Sequence, residues 1–476
     1  MYKAYVTMLT NVRKHPNADR LLLADCFGNT VCVSTDYSEN QVGVYFPTDG
    51  QLSVEFAEKN NLVRKKDEAG NNIGGYMDPE KRNVTAIRLR GEKSDGLFLP
   101  ISCLNYCYAH GDASIELRAG DVIDGLVNGH EICCKYIPRS NTRVSRVTEG
   151  NRTRKKSVPV APLFKEHADT EQLAYNLGAF KSGDEIEISL KMHGTSQRTG
   201  YLPTLKGYKR TIIDRLLRRE GKPIYDWGYV SGTRRTVLND FDGGYYGSNE
   251  FREPHSKIFE GKLWKGETVY YEVVGFTHTG TPIMASCSNK KLNDKDFIKQ
   301  YSDETVFSYG CSPTGYGEPE AYWDEEKIEP SIVPIVPQSD IYVYRMTMTN
   351  EDGDVVEYTP DFMRYRCEQM AVKTVPVFWR GFIPNEFTID VFEDGSEIET
   401  YPVDAGAWVM KLAEQFYDGP DPVGKTHVRE GVVVRIVNRP KFAAYKHKNF
   451  SFKVLEGIAK VEAEAPDMEE AQEVTE

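Results

Sequence analysis

What this chain lacks narrows it first. Its nine cysteines include no Cys-x-x-Cys pair, and neither Cys103 with Cys107 nor the adjacent Cys133 and Cys134 has a matching second pair. Zinc sites and disulfide frameworks both depend on such spacing, so the thiols are expected to be reduced and mostly buried. No His-Glu-x-x-His and no Ser/His/Asp arrangement can be placed, which removes the common hydrolase readings. Apolar runs of membrane-span length are missing, and Met1–Thr7 carries no signal-peptide pattern, so a cytoplasmic protein is expected.

One pattern is present and still has to be set aside. Gly419–Thr426 matches the phosphate-loop spelling Gly-x4-Gly-Lys-Thr. That loop works when a strand precedes it and a helix follows, because helix N-terminal amides then cradle the phosphates. Here the order is reversed: Ala407–Tyr417 has amphipathic helical spacing, and a strand-like run follows from Val428. Pro420 and Pro422 also remove two amide donors. The segment is therefore expected to be a helix-to-strand turn.

The 476 residues have room for two or three domains, and 40% hydrophobic with 27% charged residues is ordinary for a globular protein. A net charge of −12 argues against a nucleic-acid partner until its distribution is seen. Lys135, Arg139, Arg143, Arg146, Arg152, Arg154, Lys155 and Lys156 crowd into 22 positions with Glu149 as their sole acidic neighbour. Such a stretch suits a nucleic-acid backbone and predicts binding that weakens steeply with salt. A second basic run, Lys206–Lys222, has helical spacing at Ile212, Ile213, Leu216 and Leu217. From Glu456 to Glu476 the chain is acidic and is expected to be a disordered tail.

The most informative residue is Lys191. In Glu185–Leu190, apolar Ile186, Ile188 and Leu190 alternate with polar side chains, the period-two signature of a strand. Lys191 stands at its end, and Met192, His193, Gly194, Thr195 and Ser196 follow as a tight turn with two hydroxyls. A lysine so placed is free of the core and can meet a phosphate that backbone amides also approach.

Four later segments supply what a phosphate-attacking lysine needs. Tyr229–Arg235 carries Ser231 and Arg234, hydroxyl and guanidinium groups suited to ribose or phosphate oxygens. Glu272 interrupts the apolar run Thr268–Gly275, and a carboxylate there needs a ribose hydroxyl, a metal or some other partner. Glu430 opens the run Val428–Ile436, which reads as a strand buried on both faces. Lys446 and Lys448, two apart on a strand, point the same way as a paired positive charge.

In this order and spacing the segments resemble motifs I, Ia, III, IV and V of the covalent nucleotidyltransferases, the superfamily of DNA ligases, RNA ligases and RNA capping enzymes. Where most members read Lys-x-Asp-Gly, this chain has Lys191, Met192, His193, Gly194. That departure is similar to the fifth RNA ligase family, ATP-dependent RNA ligases with an OB module ahead of the catalytic domain. The N-terminal third agrees. Tyr5–Val12, Arg20–Ala24, Asn29–Ser34 and Val42–Phe46 are short strand-like runs, and His15–Leu21 and Arg88–Leu97 are similar to paired signatures of tRNA-binding OB folds.

The resemblance implies an α+β fold: an OB-like β-barrel over residues 1–125, a basic linker over 126–165, and a ligase-type, ATP-grasp-like nucleotidyltransferase domain over 166–455. That domain would be built on antiparallel sheets with flanking helices, and the acidic tail over 456–476 would follow. It also implies a three-step reaction: Lys191 takes AMP from ATP, AMP passes to an RNA 5′-phosphate, and a 3′-hydroxyl then seals the junction, with nicked RNA or RNA/DNA duplexes as the favoured substrate. Glu272 would hold the ribose, Glu430 the divalent metal (Mg²⁺ or Mn²⁺), and Lys446 and Lys448 the α-phosphate. Arg234 and Ser231 would contact ribose or phosphate, with His193, Gly194 and Arg198 also at the nucleotide. Tyr344, in preference to Tyr342, would stack on adenine. No membrane and no obligate protein partner is implied. A capping-type guanylyltransferase and a non-catalytic RNA-binding protein remain the alternatives.

Overall fold

The computed structural model describes residues 2–48, 50–66, 72–108, 117–136, 159–168, 170–212, 214, 221–234, 236–238, 241, 250–314, 321–322, 331–332, 336–391, 397–456 and 459–460. The basic stretch from Arg139 to Lys156 and the acidic tail beyond Lys460 lie outside the described residues. By compactness the chain forms two units: one of Met1–Thr148, Asn289–Lys299 and Phe450–Glu476, the other of Glu149–Ser288 and Gln300–Asn449. Among the described residues no helix is long and apolar enough to cross a membrane. Of the nine cysteines, all free, seven are buried, as their composition suggested.

The first unit is sheet-rich. Strands β1 (Ala4–Met8), β2 (Val42–Phe46) and β3 (Leu97–Pro100) pair antiparallel, with Tyr5 opposite Tyr45 and Phe98 opposite Tyr45 on the other side. A hairpin sheet of Thr10–Lys14, Leu21–Cys26 and Asn29–Ser34 accompanies it. Alternation buries Ala4 and Val6 against Val44, Phe46, Leu52, Phe56 and Leu104, each large side chain contributing about 1.5–3 kcal/mol. Among the described residues no sheet closes on itself into a barrel. The two OB-like signatures do meet: His15 Nε2 lies 3.0 Å from the Leu89 carbonyl, and Asn17 Nδ2 donates to the Arg90 carbonyl at 2.8 Å. Since His15 Nδ1 accepts from the Asn17 amide, Nε2 carries the proton.

The chain returns to this unit at its end. In the helix Phe450–Leu455, Lys453 Nζ reaches the buried Asp95 at 2.9 Å, with Lys93 at 3.5 Å from the same oxygen. Ala459–Lys460 then adds a parallel strand beside Ala86–Leu89.

The two largest sheets of the second unit are dominated by antiparallel pairs. One contains β4 (Glu185–Leu190), flanked by β9 (Val377–Phe382) and β10 (Gly431–Ile436), with β11 (Ala443–Lys448) beyond β10. The other is ordered β6 (Lys222–Gly232), β5 (Thr195–Lys209), β7 (Glu267–Gly275), β8 (Ser339–Thr349). Helix α1 (Pro360–Met370) covers one face of this second sheet. Thr359 caps it by accepting from the Phe362 amide, Pro360 suits its first turn, and Ala371 ends it in a left-handed conformation with φ 56°. Met363, Cys367 and Met370 bury against Val269, Tyr271 and Val273.

One local expectation changes. Glu187, alternating with apolar neighbours, is buried rather than solvated, because β4 is a central strand and Arg364 pairs with it at 2.9 Å. The second basic run begins on β5, which continues to Lys209, and Ile212 and Asp214 are then helical, in line with the spacing; positions 213 and 215–220, including Leu216 and Leu217, lie outside the described residues. The phosphate-loop spelling is indeed a helix-to-strand turn, between α2 (Ala405–Glu414) and β10. Asp421 Oδ1 accepts from the Val423 and Gly424 amides at 2.8 Å each, occupying donors that a phosphate would need.

Burial raises the Asp95 pKa, but Lys453 and Lys93 outweigh it and hold the carboxyl below its ordinary value. Such a lowered group stabilises the fold above its unfolded pKa, and the gain disappears as pH falls through the folded value. Lys453→Ala should therefore cost about 3 kcal/mol at pH 7 and progressively less below about pH 4, measured by urea unfolding at both pH values.

Candidate active site

Lys191 sits where the chain crosses from one sheet to the other. β4 ends at Leu190, the Lys191 amide donates to the Gly431 carbonyl at 3.0 Å, and β5 starts at Thr195. The crossing is tight enough to require glycine twice. A Cβ on Gly194 would fall 2.4 Å from the Val273 carbonyl oxygen, and one on Gly431, at φ +145°, would fall 2.1 Å from that of His447.

Glu430 is the centre of the charge cluster. Its Oε1 takes Lys191 Nζ at 2.5 Å and Lys448 Nζ at 3.1 Å. Its Oε2 makes no hydrogen bond and lies 3.6 Å from His193 Nδ1, outside hydrogen-bond distance. Burial pushes this carboxyl up, yet Lys191, Lys448 and His193 together hold it well below the usual carboxylate range. Lys446 faces the same side of β11 as Lys448 and is half-buried opposite Val433.

From the other sheet comes Glu272. It stands opposite Ser196 on β5 and Tyr342 on β8, so these three share a face. Loss of hydration pushes Glu272 up to about 7, and Glu430 acts in the same direction, while Lys191, Arg252 and Arg234 pull it down. Tyr344 hydrogen-bonds to Ser196 Oγ at 2.9 Å, which orients its ring beside this carboxylate. Tyr342 is more deeply buried and has Lys373 Nζ 5.7 Å from its ring centroid. Arg234 is exposed on the turn after β6, near enough to act on both Glu272 and Tyr344.

Two expected residues have partners within the protein. The Ser231 hydroxyl is 3.0 Å from that of Thr199, which is 2.9 Å from the Tyr271 hydroxyl. That places Ser231 on the helix-covered face, opposite Glu272, because alternate residues of a strand face opposite ways. Arg198 is 1% exposed, its guanidinium 4.3 Å from the Phe164 ring and donating to the Lys165 carbonyl. The arginines and lysines from Arg139 to Lys156 fall outside the described residues.

Several supporting residues carry no motif. Arg252 donates to Thr195 Oγ1 at 2.6 Å and to the Ser196 carbonyl at 3.2 Å, bracing the turn after Lys191. The His193 amide donates to the Tyr309 hydroxyl at 2.8 Å, and Phe307 meets the His193 ring edge-on at 4.6 Å. Both aromatics also pack on buried His427, at 5.1 Å for Phe307 and 4.8 Å for Tyr309. The His167 ring packs at a tilt 5.2 Å from that of Tyr344 and accepts from Arg345 through Nδ1 at 3.2 Å. The sequence signal for these was at best a polar or aromatic residue amid turns, with nothing to name its distant partner.

The arrangement offers an amine, a buried carboxylate shared by two lysines, and a second carboxylate across a gap between sheets. Comparison places it in a known architecture: the fold is that of an RNA ligase. The chain is similar to Naegleria gruberi RNA ligase with pyrophosphate, at a TM-score of 0.51 and 14% identity over 94% of this chain and 97% of that one. A variant of that ligase with ATP and Mn gives 0.52 and 14% over 96% and 99%, and one with AMP and Mn gives 0.51 and 14% over 95% and 98%. No family model and no curated protein sequence matches the chain.

Because the folded pKa of Glu272 is raised, the folded state binds more protons than the unfolded chain between pH 4.5 and about 7. Stability should fall as pH rises through that window. Glu272→Gln should flatten the dependence and raise the melting temperature at pH 8, seen by thermal melting across pH. Ser231→Ala, by contrast, should cost roughly 1 kcal/mol for its hydrogen bond with no change in this pH dependence, measured by urea unfolding and the same melts.

Proposed function

We propose that the protein is an ATP-dependent RNA ligase whose Lys191 carries AMP as a covalent intermediate. The observation that carries this reading is the Lys191–Glu430–Lys448 cluster facing Glu272, set in an RNA ligase fold. In the first step Lys191 Nζ forms a bond to the α-phosphorus of ATP as the bond to the bridging oxygen breaks and pyrophosphate leaves. AMP then passes to a 5′-phosphate oxygen, breaking the lysine P–N bond. Finally a 3′-hydroxyl attacks the activated phosphate, and AMP leaves.

Each residue has a task in that sequence. Attack requires a neutral amine released from Glu430. Lys446 and Lys448 stabilise negative charge developing on the phosphoryl oxygens. Glu272 accepts hydrogen bonds from the ribose hydroxyls when ionised, and Arg234 reaches ribose or phosphate. Tyr344, held by Ser196, stacks on the adenine. Ser231, bonded to Thr199 on the opposite face, supports the sheet and does not touch the nucleotide, whereas Arg198 shares the face of Ser196 and Glu272.

A divalent metal fits the residues present. Glu430 Oε2 is a buried anionic oxygen without a hydrogen-bond partner, the hard donor that Mg²⁺ and Mn²⁺ prefer, and His193 stands beside it in place of the usual aspartate. Glu430, with His193, would hold the ion or its water shell, and the bound ion would supply charge neutralisation at the α-phosphate. The solved neighbours with ATP and Mn support both the nucleotide and the metal.

The first unit, with its short antiparallel strands and joined His15 and Arg88 signatures, is the OB-like module in this reading. It binds the RNA, and the substrate is a nicked RNA or RNA/DNA duplex repaired in the cytoplasm.

With α-labelled ATP and Mn²⁺, the wild type should become labelled on a denaturing gel, and Lys191→Ala should not. Glu430→Ala should lower labelling roughly a hundredfold, and EDTA should abolish it. Labelling by GTP in preference to ATP would favour capping chemistry instead, and labelling of Lys191→Ala would overturn the assignment of the nucleophile.

A further inference from the structure

The strand that carries Tyr344 has a bulge at that residue. Tyr271 of β7 stands opposite Val343 and Tyr270 opposite Arg345, so Tyr344 is an extra residue between two paired positions of β8. Val343 packs with Val269 and Tyr271 in the core under α1. Tyr344 and Arg345 therefore both turn to the other face, where Tyr344 meets Ser196 Oγ and Arg345 lies 4.6 Å from the Tyr270 ring. Regular alternation would have sent one of these two consecutive side chains into the core.

Arg345 is 6% exposed and firmly held. Its Nε donates to both carboxylate oxygens of Glu357 at 3.0 Å, and the Phe442 ring lies 4.5 Å away. Its Nη1 donates to His167 Nδ1 at 3.2 Å. That bond fixes an imidazole which in turn packs 5.2 Å from Tyr344 and 5.3 Å from Tyr270. The His167 amide donates to the Arg234 carbonyl at 3.3 Å, and Phe164, three residues earlier, is buried with Leu202 and Val230. His167 is thus anchored on both its backbone and its ring.

Tyr344 itself is half-open to solvent and tethered at its hydroxyl. A tyrosine held there can still rotate about the axis from Cβ to that hydroxyl, because the torsion has no sharp minimum. Rotation about this axis changes the ring plane, on which stacking depends. The His167 ring, at 56° to that of Tyr344, blocks it. We infer that His167 is a positioning residue for adenine: it holds the Tyr344 ring in the plane that stacks on the base. The inference rests on the reading of Tyr344 as the adenine platform of a ligase. A ring fixed in advance lowers the ordering cost of binding and leaves the chemistry at Lys191 untouched.

Two full-length proteins test this. Lys191→Ala supports titration calorimetry with ATP and Mg²⁺ without reaction, and the parent with Lys191 intact supports labelling by ATP. In either, His167→Ala should weaken ATP binding roughly three- to tenfold, read as Kd in the first and KM in the second. The maximal labelling rate should stay within about twofold, which a collapsed site would not allow. His167→Asn, which keeps an acceptor for Arg345 and loses the ring, should behave as His167→Ala does. Added to Tyr344→Ala, His167→Ala should change Kd by less than about twofold, since no ring is left to orient. ATP affinity restored by asparagine, unchanged in His167→Ala, or lost additively with Tyr344→Ala would overturn the inference, while a wild type that labels would still stand as a ligase. Non-additive losses, with a wild type that binds ATP and never labels, would sustain the positioning role and sink the covalent step.

Discussion

The site depends on one buried ion pair joining residues 239 positions apart, Lys191 and Glu430. Glu430 is nearly inaccessible to solvent, and an unpaired carboxylate there would carry a desolvation cost of several kcal/mol. Lys191 and Lys448 offset it by converging on one oxygen. The backbone fixes this meeting independently of the charges: Lys191 N–H bonds to the Gly431 carbonyl and Asn449 N–H to that of Glu430. The strands bearing the three groups are thus aligned by ladder hydrogen bonds, and the charges add specificity to a geometry the sheet already sets.

The two carboxylates show how one environment produces opposite behaviour. Both are enclosed by protein, and burial pushes both upward. Two lysines touch Glu430 and keep it ionised, whereas Glu272 feels cations only at longer range and titrates near 7. An ionised carboxylate suits a metal or a lysine, and one that titrates near neutrality can accept or donate a hydrogen bond to a sugar hydroxyl. Separation of the two between sheets is what lets their environments differ.

Much of this was legible beforehand because it is periodic. Alternation marked β4, continuous apolar runs marked β7 and β10, and spacing by two put Lys446 and Lys448 on one side of β11. The phosphate-loop spelling was correctly discounted from the elements on either side of it, and Asp421 then proved to occupy the amides in question. Alternation misled where a strand had two covered faces, as at Glu187, which found Arg364 instead of water. It also could not say which face of β6 would meet the Glu272 side, so Ser231 looked available when its hydroxyl belongs to Thr199.

By itself the sequence determined which segments are strands and which side chains within each lie on a common face, since those follow from local sterics and a two-residue repeat. It also located the amine, the two carboxylates and the paired lysines, because ionisable groups beside apolar runs stand out. The tertiary structure alone decided that Glu430 would be shared by two lysines, that Arg198 would be buried against Phe164, and that Lys453 would return to Asp95. Those outcomes depend on register and on packing between segments distant in the chain, and no local pattern encodes which distant partner a buried charge will meet.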